Sequence, residues 1–332
     1  MEKVLLVIPK VALIRQPIID NLVKLGYQVE MFDSRDSIVY RNIWLRRLIR
    51  RIPAFKSIKA WALRGINARL LTIANSYQPS ILLVVGGENI APDTIRKIRN
   101  RGITTLNWYF ELMSNWTSIK KMAPAYNRFF TIDSGILERL KLENITNSSF
   151  ASPAAELRTE KISDPKRYSV AFVGSYNAGI WKQREHLLET IKDLGLNIWG
   201  PKAWKKTALA PYYHGTAYGR EVLNIYAQSK IALDIPYDHI VADGVGPRPF
   251  EVNGSGTALF FYDIRRDMHR LFKPNEEYVS FTTAEELREK IIYYLAHPDQ
   301  LEAIARAGYK SVQNKYTYEH RLQAMITEAK AA

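Results

Sequence analysis

Short, unbroken apolar runs recur along this chain, each separated from the next by a stretch with helical spacing, and this alternation most constrains the fold. Val4-Leu-Leu-Val-Ile8, Ile81-Leu-Leu-Val-Val85, Ile231-Ala-Leu-Asp-Ile235 and Ala258-Leu-Phe-Phe-Tyr262 are the clearest of these runs. A strand with no polar face is buried on both sides, as happens in parallel sheets covered by helices. The first series reads as strand 4–8, helix 17–25 stopped by Gly26, and strand 28–33. Basic helices 41–52 and 54–76, separated by Pro53, come next. Strand 81–85, helix 92–101, strands 104–109 and 128–133, and a helix capped by Ser134 complete it. Residues 150–167 are poor in apolar side chains and read as a linker. The second series runs through strand 169–175, helix 182–194, strands 196–200 and 231–235 around helix 222–229, a short helix opened by Glu251, and strand 258–262. Helices 284–296, 298–314 and 317–330 follow.

Alternation of this kind predicts α/β architecture: two Rossmann-like doubly wound domains facing a cleft. The expected division is 1–155, with a basic helical insert at 41–76, and 168–316. Helix 317–332 is expected to pack back on the first domain. At 332 residues the chain fits two ordinary domains. Ligands of such sheets bind beyond the carboxyl ends of the strands, so the glycine turns at 86–87, 174–175 and 244–256 are expected at the cleft.

Composition narrows the setting. No run of 18 apolar residues exists, so no membrane-spanning helix is expected. There is no cysteine, which removes disulfides and thiolate chemistry and fits a cytoplasmic protein. The net charge is +14, and from Ser37 to Gly87 there is no Asp or Glu. That span carries Arg41, Arg46, Arg47, Arg50, Arg51, Lys56, Lys59, Arg64 and Arg69, interleaved with Trp44, Leu45, Leu48, Ile49, Ile52, Phe55, Ile58 and Trp61. A single-sign surface implies an anionic partner. Segment 41–69, with Arg46, Arg47, Arg50 and Arg51 at its centre, suits an anionic membrane interface. The protein is therefore expected in the cytoplasm, peripheral on the inner face of the cell membrane. A solvated face and a nucleic-acid surface are the alternatives, the latter disfavoured because no binding motif accompanies the charge.

Chemistry concentrates at Asp243-Gly-Val-Gly-Pro-Arg-Pro-Phe-Glu-Val-Asn-Gly-Ser-Gly-Thr-Ala-Leu-Phe-Phe261. A helix start with nearby glycines offers free amides to an anion. Arg248 can grip phosphate, and Glu251 can accept a hydrogen bond from a sugar hydroxyl. Phosphate beside ribose describes a nucleotide-sugar donor.

These residues resemble the donor-binding segment of two-domain GT-B glycosyltransferases, nearest to the spore-maturation-protein-type branch of the glycosyltransferase 1/4 superfamily. Phe272-Lys-Pro-Asn-Glu-Glu-Tyr-Val, Ala284-Glu-Glu-Leu-Arg-Glu-Lys-Ile-Ile-Tyr-Tyr-Leu-Ala-His-Pro and Tyr316-Thr-Tyr-Glu-His-Arg-Leu resemble later motifs of that branch, in order. The resemblance implies transfer of a sugar from a nucleoside diphosphate sugar to a glycan or lipid-linked acceptor. It implies that the Gly174-Ser175 turn lies on the donor phosphates, with basic residues of the next helix, Lys182 and Arg184, beside them. It also implies two carboxylates eight residues apart around the donor sugar, which fall on Asp243 and Glu251, with Gly244 in the turn between them. An Asp where a Glu is usual shortens the reach of the first.

Trp199 is a candidate wall for the base, and His239 a candidate sugar or phosphate contact. In the first domain, Glu88 and Glu111 end strands and are the acidic candidates for a catalytic base. That domain has no histidine, since all six lie between His186 and His320. No Asp-x-Asp and no His/Cys/Asp ligand spacing occurs, so no metal or other cofactor is expected beyond the nucleotide sugar as co-substrate. A non-catalytic GT-B-like glycan- or nucleotide-binding module and a basic nucleic-acid binder are the alternative functions.

Overall fold

The computed structural model describes residues 1–331 apart from 11, 13, 36–54, 111–114, 159–164, 178–180 and 238–241. Two compact units result: Met1–Ala151 with Tyr318–Ala332, and Ser152–Thr317.

The first unit holds a six-stranded sheet in the order β2-β1-β3-β4-β5-β6, parallel throughout. Its strands are β1 (Lys3–Val7), β2 (Gln28–Phe32), β3 (Ile81–Val85), β4 (Thr104–Tyr109), β5 (Arg128–Thr131) and β6 (Ser148–Phe150). Between them run α1 (Arg15–Lys24), α2 (Phe55–Tyr77), α3 (Pro92–Arg99), α4 (Trp116–Met122) and α5 (Ser134–Leu142). All five residues of β3 are buried, as a strand covered on both faces requires. Helix α2 seats Ala62, Ile66, Leu70 and Ala74 in the core, a stripe of i, i+4 spacing. The cap of α5 is Asp133 rather than the expected Ser134. The fully buried Asp133 carboxylate accepts hydrogen bonds from the N–H groups of Gly135 and Ile136, the two amides an N-cap oxygen reaches.

The expected linker at 150–167 is only partly one. Phe150 ends β6, and Ala151, Ser152, Ala154 and Ala155 are buried. Small side chains let this backbone pack closely, so low apolar content here marks packed chain, not a solvated tether.

The second unit holds another six-stranded parallel sheet, β12-β11-β10-β7-β8-β9. Its strands are β7 (Tyr168–Val173), β8 (Leu196–Trp199), β9 (Tyr213–Gly215), β10 (Ser229–Asp234), β11 (Ala258–Tyr262) and β12 (Val279–Phe281). The helices are α6 (Lys182–Thr190), α7 (Arg220–Ala227), α8 (Arg248–Gly254), α9 (Met268–Leu271), α10 (Ala284–Ala296) and α11 (Pro298–Lys315). In order of appearance these strands read 6-5-4-1-2-3, the doubly wound order whose direction reverses between β7 and β10. The ends of those two strands therefore flank the crevice where this topology binds ligands.

The last helix, α12 (Tyr318–Lys330), belongs to the first unit. Its Tyr318 meets Trp108 of β4 edge-on at 6.3 Å, Glu328 accepts from Ser149, and Glu319 pairs with Lys24 of α1.

Candidate functional site

At the carboxyl end of β10, Asp234 is nearly buried, with 7% of its side chain exposed. Its Oδ1 accepts a hydrogen bond from Nη1 of Arg248 at 2.9 Å. Arg248 keeps 29% of its side chain exposed. Burial opposes its charge, but Tyr226, Asp234 and Glu251 outweigh that, and the guanidinium is held above its ordinary proton affinity. One turn along, Glu251 is half-buried and its carboxylate makes no hydrogen bond or ion pair among the described residues. Burial raises its pKa, with Asp234 adding to the rise and Arg248 opposing it. The Tyr226 hydroxyl is fully buried and interacts with the Arg248 guanidinium, which opposes the rise in its pKa that burial causes. A cation and an acceptor thus stand side by side, both with unused bonding capacity.

Helix α8 begins at Arg248 rather than at Glu251, and it supplies no cradle of amides. Pro247 and Pro249 have no N–H, while the Phe250 and Glu251 N–H groups both donate to the Pro247 carbonyl. The first turn of α8 therefore offers its side chains and the single Arg248 N–H. Gly254 and Gly256 are also not site residues. A Cβ on Gly254 would lie 2.8 Å from the Glu156 carbonyl oxygen, and Gly256 takes φ +68° just past the helix. Gly254 leaves room for the Glu156 backbone, and Gly256 supplies the left-handed turn after the helix.

At the end of β7, the Gly174 N–H donates to Trp199 O at 2.9 Å, and the Gly174 carbonyl accepts from Trp204 Nε1 at 2.9 Å. A Cβ there would strike the Phe172 ring at 2.5 Å. Gly174 is therefore first a packing requirement. Ser175 is half-buried, with neither its N–H nor its hydroxyl bonded among the described residues. Lys182 is exposed at the start of α6.

Arg184 behaves differently from the phosphate contact read from the sequence. It is 5% exposed. Nη1 donates to Ser175 O at 2.8 Å and Nη2 to Ile235 O. Its guanidinium carbon lies 4.8 Å from the Trp181 ring, 5.0 Å from Tyr237 and 5.4 Å from Phe172. Burial and the nearby Arg248 charge pull its pKa down to about 10. Arg184 ties the segment after β7 to the segment after β10, across the point where the strand order reverses. Arg265, also 5% exposed, donates to the carbonyls of Tyr237 and Ala242 and holds the far side of the same loop.

Trp199 is not a wall for a base. It is 5% exposed, stacked on His214 at 4.9 Å and met edge-on by Tyr168 at 5.0 Å, so the ring presents little surface to a base. Asp243 is half-buried and pairs with Arg266 at 3.1 Å, and Gly244 beside it is buried. His239 lies outside the described residues.

In the first unit, β3 ends in Gly86 and Gly87, at φ +75° and +98°. A Cβ on Gly87 would meet Val84 at 2.8 Å, so the turn needs glycine twice over. Glu88 follows, exposed, accepting from Asn115 Nδ2. Glu111, Arg46, Arg47, Arg50 and Arg51 lie outside the described residues. Among the described residues no group of three or more metal-ligand side chains assembles, and no helix is long and apolar enough to cross a membrane.

Sequence reasoning missed Asp234, Tyr226 and Arg265 as site builders. Asp234 had one legible signal, a carboxylate ending an apolar strand. The two others depend on which helix and loop the fold sets beside that strand.

Residues 182–327 match a family model described as glycosyl transferase-like. No curated protein matches the chain in sequence at a significant level. Among solved structures, sucrose-phosphate synthase from Thermosynechococcus elongatus superposes with a TM-score of 0.72 at 12% identity, over 100% of this chain and 99% of that one. HepE of Anabaena, solved with UDP-glucose, gives 0.66 at 8% identity over the full length of both. A glycosyltransferase from Rickettsia africae gives 0.65 at 14%, over 99% and 98%. The chain therefore has the GT-B fold of two Rossmann-like domains, and the larger part of its second unit is similar in sequence to glycosyl transferase-like proteins.

Proposed function

We propose that this protein is a glycosyltransferase that takes a sugar from a nucleoside diphosphate sugar held by the second unit. The observation that carries the reading is that Arg248, held by Asp234 at the carboxyl end of β10, stands one helical turn from the unengaged Glu251, within the segment that matches the glycosyl transferase-like model. Arg248 and Lys182 would hold the diphosphate, with Ser175 near its oxygens. Glu251 would accept from the ribose, and Asp243 and Gly244 would border the sugar. Arg248 would also stabilise the charge that develops on the leaving diphosphate, which makes the transfer metal-independent. Unchanged turnover in excess EDTA is the expected result. Glu88 or Glu111 would take the proton from the acceptor hydroxyl.

Structures in complex with UDP-glucose and UDP among the similar folds favour a hexosyl donor and place UDP first among nucleotides to test. The three downstream motifs favour the spore-maturation-protein-type branch. The acid-free basic segment favours a lipid-linked or surface glycan acceptor met at the inner face of the cell membrane, in polysaccharide assembly. Calorimetric titration with UDP, GDP, dTDP and CDP tests the donor site. Micromolar binding of one nucleotide, weakened at least tenfold in Arg248→Ala and in Glu251→Ala, is expected. No binding of any nucleotide by the wild-type protein would end the donor reading.

A further inference from the structure

We propose that Asp234 is the positioning residue of this donor site, fixing Arg248 so that the free edge of its guanidinium is presented to the diphosphate. The inference rests on the donor reading above and adds to it a residue that never touches the ligand.

Asp234 sits on backbone held in the sheet. It is the last residue of β10 and pairs with Phe261 of β11, while its neighbour Leu233 is flanked by Phe172 of β7 and Phe260 of β11. Its side chain is almost buried and meets Arg248 through one oxygen and one nitrogen, Oδ1 to Nη1 at 2.9 Å. Arg–carboxylate pairs are frequently bidentate, with two parallel N–H groups committed. Here one terminal amino group is committed. The Nε–Nη2 edge, a parallel pair of donors matching two phosphate oxygens, makes no hydrogen bond to a carboxylate or carbonyl among the described residues, and the neutral Tyr226 hydroxyl is the other group beside the guanidinium. An arginine on a flexible side chain must otherwise give up rotamer freedom when ligand binds. A buried carboxylate on a rigid strand removes that cost beforehand.

The same carboxylate acts on Glu251. Burial and the Asp234 charge both favour the protonated form of Glu251, so Asp234 also sets how far into the acidic range Glu251 remains an acceptor.

The test uses the full chain and the nucleoside diphosphate that binds wild type, titrated from neutral to mildly acidic pH. Asp234→Ala is expected to weaken binding at least tenfold, and Asp234→Ala/Arg248→Ala to bind no more weakly than Arg248→Ala alone. Asp234→Asn keeps an oxygen to accept from Nη1 and removes the charge. It is expected to bind within about threefold of wild type, with the acid decline in affinity moved to lower pH. A structural role alone would not move that profile. Three results overturn the proposal: Asp234→Ala binding within twofold of wild type, additive losses in the double variant, or an Asp234→Asn protein that melts normally and binds as poorly as Arg248→Ala. If Asp234→Ala fails to fold, the asparagine variant and its pH profile decide alone. Wild-type protein that binds none of the four nucleotides overturns the donor reading itself.

Discussion

Replacing Arg184 by methionine separates a structural staple from a phosphate ligand. Methionine keeps much of the apolar volume between Trp181, Tyr237 and Phe172 and removes both hydrogen bonds, to Ser175 O and Ile235 O. Hydrogen bonds from a charged donor contribute roughly 1.5–3 kcal/mol each, so two give about 3–6 kcal/mol. Releasing a cation from its buried position offsets part of that, leaving a net loss of ~3 kcal/mol. For a unit spanning Ser152–Thr317, each kcal/mol moves the melting temperature roughly 2–4 °C, so a drop of about 6–12 °C is expected. Differential scanning calorimetry measures it, with nucleotide titration on the same preparation. An Arg184→Met protein that melts within about 1 °C of wild type and has lost nucleotide binding would refute the argument, since it would show the guanidinium serving the ligand and not the loops.

Nucleotide affinity is expected to fall as pH drops through the acidic range, starting above the ordinary glutamate value of 4.5, because burial raises the Glu251 pKa and protonation removes its acceptor. The sign for stability is the same group seen from the folded state: a raised carboxylate pKa favours folding at low pH, and this contribution is lost as pH rises through the folded value. Glu251→Gln should flatten its part of both profiles, read by calorimetry and thermal melts. Gly200→Ala should destabilise the second unit by about 3 kcal/mol or more, because the new Cβ would lie 2.1 Å from Gly174 O and 2.9 Å from Trp204 Nε1; circular dichroism melts check it. Trp61 is 65% exposed on the outer side of α2, near exposed Lys59 and Arg64. Trp61→Ala is expected to reduce co-flotation with anionic vesicles several-fold while leaving nucleotide affinity unchanged, and wild type that ignores such vesicles would end the membrane reading.

The sequence by itself determined the sheets. Val4–Ile8, Ile81–Val85 and Ala258–Tyr262 have no polar face, so they had to be strands covered on both sides, and the helical spacing between them required parallel crossovers. It also put Arg248 and Glu251 on one side of a short helix, because three residues of separation does so whatever surrounds it. Tertiary structure alone decided what those residues face. The order β10-β7-β8 brings Ser175 and Ile235 within reach of one arginine, turning Arg184 from an apparent ligand into a tie between loops. Strand alternation puts Ile198 into the core and Trp199 on the other face, beneath Tyr168 and His214. The loop between β10 and α8 returns the chain so that Arg248 lies beside Asp234, 14 residues earlier. Periodicity is a local property and survives in one dimension. Which buried charge meets which partner depends on the path of loops and on strands apart in sequence, and only the folded chain fixes that.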